Sequence, residues 1–258
     1  INILGGSNLT INNGTFYGAM TAVQVQKGGL VINDGTFLMA PTCKEQVPQY
    51  AKYIINCIDA AWKDGSATVS IKGGTFGHDY SHSPEGEGTS YLAPGYAPTA
   101  NADGTYGVVA GVAQIGSKAY ATLTDAVAAA QDGETVTLLT DVTEDVAISK
   151  SITLDLGGKT LTNTNAGKAT ISVQGGTVTV KNGNVAGGTS YYNIEVTKGG
   201  ANLTLVDVTA TAGNTGSSMI DNWGTLTVAS GTYTGGLDTV KNEPNAKLTI
   251  TGGAFTLT

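Results

Sequence analysis

The chain has 258 residues and a net charge of −7, and all 13 of its basic residues are lysine. That balance argues against nucleic acid as a partner, because such binding rests on cationic contacts to phosphate; no stretch is long and apolar enough to span a membrane as a helix. With 37 glycines and only 7% aromatics, many tight turns around a thin core are expected. Charged residues are 13%, yet the apolar residues alternate regularly, which disordered chains do not do.

One eight-residue pattern recurs along the chain: LTINNGTF from Leu9, LVINDGTF from Leu30, VSIKGGTF from Val69, ITLDLGGK from Ile152, VTVKNGNV from Val178, LTLVDVTA from Leu203, LTVASGTY from Leu226 and LTITGGAF from Leu248. Its first and third positions are aliphatic, as in Leu9/Ile11, Val178/Val180 and Leu226/Val228, and a Thr, Ser or Val stands between them. Strict period-2 alternation describes a short strand with one buried and one wet face. The sixth position is glycine in every copy except that of Val208, which marks a bend or a positive φ. The eighth is often aromatic (Phe16, Phe37, Phe76, Tyr233, Phe255) and can fold onto the neighbouring copy.

Gly14 and Gly35 are 21 residues apart, and Gly231 and Gly253 are 22 apart. A single strand cannot bury its own apolar face, so units at this period must stack. A second strand precedes most copies: Ala22–Gln26, Lys52–Ile58, Ala169–Gln174, Tyr192–Thr197, Ser218–Asn222 and Leu237–Lys241. Two or three strands per turn, with successive turns about 4.8 Å apart, describe an all-β parallel β-helix, a solenoid.

In chain order, residues 1–77 form about three coils, the C-terminal coils of a first β-helix module. An insertion, PTCKEQVPQYAKYIINCIDAAWKDGSA, stretches the period before Val69; Tyr53–Asp59 within it reads as a coil strand and Pro41–Pro48 as a loop. Residues 78–118 are rich in Gly and Pro and form a loop and hairpin connector, with strands at Tyr106–Ala110 and Val112–Ile115 and a turn at Gly116-Ser117 leading into Lys118–Thr122. The hydrophobic period then changes to 3.6. Leu123, Ala126, Val127 and Ala130 make one apolar stripe of a short α-helix, with Thr122 and Asp125 as a capping box and Gly133 as the stop. Such a helix can cover the open end of a solenoid, which otherwise exposes unpaired strand edges. Residues 119–258 therefore read as that capping helix and the first coils of a second module, and the whole as a slice of a longer protein.

The GGTF-type turns, together with GEGTSYLAPGY (Gly86–Tyr96), NADGTYGVV (Asn101–Val109) and AYATLTDAVAAAQDGETVTLLTDV (Ala119–Val142), resemble those of the pectin-lyase-like right-handed parallel β-helix proteins of bacterial surface, secreted and phage-tail type. The resemblance covers nearly the whole chain and implies architecture more than activity, since that fold carries lyases, hydrolases, adhesins and inert stalks. Lyases of the family use arginine as the proton-abstracting base, and this chain has none.

Candidate sites are few. His78 and His82 stand near Asp79, Glu85 and Glu87, but in a Gly/Pro loop that lacks helical ligand spacing, so solvated histidines rather than a metal site are expected. Cys43 and Cys57 could form a disulfide closing a loop of about 15 residues, stabilising by up to about 3 kcal/mol; the alternative is two small buried side chains. Glycosidases need two carboxyls at about 5 to 9.5 Å, and no acids are expected to align between successive coils: Asp155 and Asp207 occupy different positions of their copies. The Thr10, Ser70, Thr153, Thr179, Thr204, Thr227, Thr249 column suits an ice- or glycan-facing ladder, or reflects the β-propensity of exposed threonine. Sequons at Asn8, Asn13 and Asn202 are expected by chance in such a composition. No catalytic residue, cofactor site or metal site is expected. The reading is a non-catalytic stalk or adhesin segment, extracellular or at a cell surface, with glycans or a surface protein as partners. The alternative is a carbohydrate-active enzyme, a polysaccharide lyase or glycosidase, whose site lies partly outside this sequence.

Overall fold

The computed structural model describes residues 1–40, 53–77, 91–163, 165–187 and 192–257. They form a β-solenoid of about ten turns, divided by contacts into two units, Ile1–Ala110 and Gly111–Thr258.

In the first unit, each coil contributes one strand to each of three parallel stacks. Asn2–Ile3, Val23–Val25 and Ile55–Cys57 make the first, and Ser7–Ile11, Gly28–Ile32 and Ala67–Ile71 the second. Thr15–Gly18, Thr36–Met39 and Thr75–Phe76 make the third. The repeat fixes the register: Leu9 lies beside Leu30 and Leu30 beside Val69, with Ile11, Ile32 and Ile71 in line. The eighth-position aromatics stack as expected, Phe16 on Phe37 and Phe37 on Phe76, each pair with centroids 5.0 Å apart. Residues 91–110, read from sequence as part of a connector, pair onto this unit. Tyr96–Ala100 and Tyr106–Ala110 form an antiparallel hairpin whose second strand runs antiparallel to Thr75–Phe76, covering a sheet edge that would otherwise stay open. The sequence reading of Tyr53–Asp59 as strand holds only for Ile55–Cys57; a short helix, α1, follows at Asp59–Lys63. Its acidic first residue and basic last residue complement the helix dipole, a signal the repeat pattern obscured.

The second unit begins with the expected hairpin, Ala113–Ile115 against Lys118–Tyr120, and the former strand is antiparallel to Thr135–Leu138. Helix α2, Leu123–Ala129, follows. Its stripe of Leu123, Ala126 and Val127, with Ala130 just beyond, is buried in one core with Val136, Leu138 and Val146, so the helix closes the end of the coil stack. Three side chains satisfy its ends. Thr122 Oγ1 accepts the Asp125 N–H at 3.0 Å. The Glu144 carboxylate accepts the Leu123 and Thr124 N–H groups at 2.9 and 3.0 Å. Lys150 Nζ donates to the carbonyls of Ala128 and Ala130 at 2.6 and 2.8 Å. Glu144→Ala is expected to cost about 1–2 kcal/mol, because it strips two first-turn N–H groups and the favourable charge at the helix N-terminus. Amide exchange of residues 123–129 checks it: their protection should fall while that of Ile194–Val196 stays.

Beyond the helix, Thr135–Leu138, Thr153–Asp155, Thr177–Ala186, Asn202–Thr211, Thr225–Val228 and Lys247–Ile250 stack in parallel. Val178, Leu203 and Leu226 are in line and buried, as are Val180, Leu205 and Val228, while Thr153, Thr179, Thr204 and Thr227 are partly exposed on the other face. The expectation fails at the last strand: Leu248 is only partly buried and Ile250 is 49% exposed, because among the described residues Lys247–Ile250 pairs on one side only, with Thr225–Val228.

The turn after the strand takes two forms. At Gly14, Gly35, Gly74, Gly231 and Gly253 the glycine carries a positive φ. In the copies from Val178 and Leu203, the positive φ moves one residue earlier, to Asn182 (57°) and Asp207 (52°). There the two flanking strands run on as ten-residue elements, Thr177–Ala186 and Asn202–Thr211, which is why Val208 can replace the glycine. Asn and Asp tolerate this region better than other side chains.

Candidate functional site: a polar sheet face on the second unit

The other parallel stack of the second unit consists of Val146–Ile148, Ile171–Val173, Ile194–Val196, Ile220–Asn222 and Val240–Asn242. Each of these short strands has the pattern aliphatic–x–apolar or Asn, so the flanking positions turn toward the core side and the middle one faces away; in the last strand Val240 is only partly buried and Asn242 is exposed. The middle residues, in register, are Ala147, Ser172, Glu195, Asp221 and Lys241. A polar row therefore crosses successive coils at about 4.8 Å per step.

The core side explains how the row is held. Val173 and Val196 give way to Asn222, which is fully buried. Its Nδ2 donates to Asn242 Oδ1 at 2.7 Å and to the Lys247 carbonyl at 3.0 Å, and its Oδ1 accepts the Gly224 N–H at 3.2 Å. A buried amide satisfied in this way tethers one coil to the next.

On the outer side, Ser172 Oγ donates to Glu195 Oε2 at 3.1 Å. Asp221, only 2% exposed, accepts the Trp223 indole N–H at 2.8 Å through Oδ2, while Oδ1 has no hydrogen-bond donor among the described residues. Lys198 Nζ lies 3.9 Å from the centroid of the Trp223 ring, a cation–π contact. Lys241 pairs with Glu243, and this carboxylate holds the ammonium above its ordinary range. Burial pushes the Asp221 carboxyl up, the Trp223 hydrogen bond opposes this, and the charge of Glu243 adds to the rise. At the other end of the row, Asp145, Lys168, Ser172, Gln174 and Glu195 line an open groove of about 240 Å³. Asp145 there accepts from Lys168 at 3.0 Å and from Asn165, contacts that hold its carboxyl below the usual range.

This arrangement corrects one sequence expectation. Carboxylates do align on successive coils: Glu195 and Asp221 are neighbours in register, and Glu243 follows one strand on. The eight-residue repeat drew attention to one strand of each coil, whereas these acids belong to the other. The segments NIEV from Asn193, MIDN from Met219 and TVKN from Thr239 carry the missed signal. The acids weighed from the repeat are placed apart. Asp155 contacts Lys181 at 3.3 Å and Asn182 at 3.3 Å, and Asp207 accepts from Ser230 Oγ at 2.7 Å.

Of the other sequence candidates, His78, His82 and Cys43 lie outside the described residues. Cys57 is buried, and burial, with Asp59 beside it, pushes its thiol up to about 11, the condition of an unreactive core cysteine. Asn8 and Asn13 are exposed and Asn202 is partly buried. Among the described residues, no group of three or more His, Cys, Asp or Glu side chains is arranged to hold a metal ion, and no helix is long and apolar enough to cross a membrane. No protein-family model, curated protein or solved structure matches the chain.

Proposed function

We propose that this protein is a structural stalk or adhesin segment of an extracellular or cell-surface protein of bacterial type, and that it contacts glycans weakly along the polar sheet face of the second unit. The observation that carries the reading is the row of Ser172, Glu195 and Lys241, which runs from coil to coil on either side of the covered Asp221 and beside an open groove. A row with this repeat suits a ligand with repeated hydroxyls, engaged by several weak contacts, better than it suits enclosure of one reacting atom. In the groove Gln174 and Lys168 supply donors, and Asp145 and Glu195 supply acceptors.

One observation favours the enzyme reading: Glu195 and Asp221 are in register, and the Asp221 carboxyl is pushed up, as in a general acid. Access weighs against it. Asp221 is 2% exposed and engaged by Trp223, so it does not reach a substrate oxygen. The test is incubation of the protein with acidic and neutral polysaccharides, following both retention and the release of reducing or unsaturated ends. Retention without release, weakened by Gln174→Ala together with Glu195→Gln, is expected. Release abolished by Asp221→Asn would establish the enzyme, and neither retention nor release would remove the glycan reading.

A further inference from the structure

Asp221 and Glu243 sit on neighbouring strands of the same sheet. Asp221 pairs with Lys241 in register, Glu243 follows two residues on, and the Glu243 N–H donates to the Asn222 carbonyl at 2.9 Å. The two carboxyl groups are close enough to influence each other, and both residues are buried, Asp221 to 2% and Glu243 to 9% exposure. Each carries a buried oxygen, Asp221 Oδ1 and Glu243 Oε1, with no hydrogen bond among the described residues. Two ionised carboxylates have only acceptors to offer each other. Asp221 Oδ1 would then be a buried charged oxygen without a donor, a costly arrangement. The donors seen on the pair go elsewhere: the Trp223 indole N–H to Asp221 Oδ2 and the Lys241 ammonium to Glu243.

We propose that Asp221 and Glu243 share a proton, which Asp221 donates from Oδ1 to Glu243, forming a carboxyl–carboxylate hydrogen bond that ties two successive coils and makes this face of the solenoid sensitive to pH. The surrounding charges fit this arrangement. Glu195 flanks Asp221 on the preceding strand and accepts from Ser172. Lys241 flanks it on the following strand, with its charge spent on Glu243, and Lys198 lies over Trp223. Tyr192 is near Lys241, and Asp238, close by in sequence, accepts from Ser218. Proton loss leaves two adjacent carboxylates under one lysine, which weakens the coil-to-coil contact and the seat of the Trp223 ring.

The sign of the stability effect follows. A carboxyl whose folded pKa is raised contributes stability that is fully present below the unfolded value and is lost as pH rises through the folded value. The melting temperature of the wild type minus that of Asp221→Asn should therefore fall as pH is raised through the Asp221 midpoint. The subtraction removes Asp145 and Asp155, whose lowered values act in the opposite direction.

The direct experiment needs no variant: carboxyl-carbon NMR of the full chain, with Asp221 assigned through its backbone, followed across pH. Asp221 should titrate above the ordinary aspartate range and above Asp145 and Asp155 in the same sample, and Glu243→Gln, which supplies an amide donor, should bring its midpoint down. A midpoint for Asp221 within or below the ordinary range overturns the proposal, as does one that Glu243→Gln leaves unmoved.

Discussion

Gly231→Ala is expected to lower the stability of the second unit by about 3–4 kcal/mol, roughly two to three times the effect of the same change at Gly133. Both glycines have positive φ, 120° and 87°. At Gly133 an added Cβ meets nothing within 4 Å, so only backbone strain is at stake, about 1–2 kcal/mol. At Gly231 the Cβ would stand 2.2 Å from the Val208 carbonyl oxygen and 3.0 Å from both Val208 N and the Tyr233 hydroxyl. Those atoms are backbone of the preceding coil and a ring that cannot swing away. Tyr233 is fully buried, donates to the Ser230 carbonyl at 2.9 Å and stacks on Phe255 at 5.1 Å. Relief of the clash therefore requires coil 225–234 to separate from coil 202–211, which breaks parallel pairing at Val208–Gly231 and Thr209–Thr232. Denaturant unfolding of the two variants decides the point. Equal losses would mean that strain, and not close coil approach, is what the glycine column provides.

The same residues show what can be read from sequence in such a chain. Leu226, Val228 and Gly231 are legible because a solenoid repeats one local environment many times, so alternation, turn and period reinforce one another. Helix α2 was legible because its period broke that pattern between Thr122 and Gly133. Helix α1 is not: five residues give too little periodicity, and the insertion in which it lies also carries the alternation of a coil strand at Ile55–Cys57. The candidate site was harder still. Asp221 and Glu195 fall in three-residue strands separated from the main repeat by turns of differing length, so a fixed-spacing alignment does not bring them together. Only pairing in space shows that they share a column. Burial of Asp221 is less legible again, since its position faces away from the core and is covered by Trp223 and its neighbours rather than by the sheet. The move of positive φ to Asn182 and Asp207 belongs to the same class, because glycine at the sixth position reads alike whether it turns the chain or merely lets Leu156 approach.

Phe37→Ala should be the most damaging single truncation in the first unit, at about 3–5 kcal/mol. Phe37 is fully buried and is the middle ring of a three-ring stack, 5.0 Å from Phe16 on one side and 5.0 Å from Phe76 on the other, with interplanar angles of 13° and 8°. Removing it opens a cavity between two aromatic faces that backbone pairing holds apart: Thr36 and Phe37 are in register with Thr15 and Phe16 before them and with Thr75 and Phe76 after them. The outer rings cannot close the gap, so the cavity persists and its cost is not relieved. Phe16→Ala removes a ring that is only partly buried and stacks on one neighbour, and should cost about half as much. In a solenoid, stability is a sum of coil terms and nearest-neighbour terms. Phe37→Ala should thus lower amide protection at Thr15–Gly18, Thr36–Met39 and Thr75–Phe76 together, while Gly231–Thr234 and Ala254–Thr256 of the second unit keep theirs. Equal costs for Phe16 and Phe37 would show that the stack contributes no more than the area each ring buries. Loss of protection in the second unit would show that the two units unfold as one.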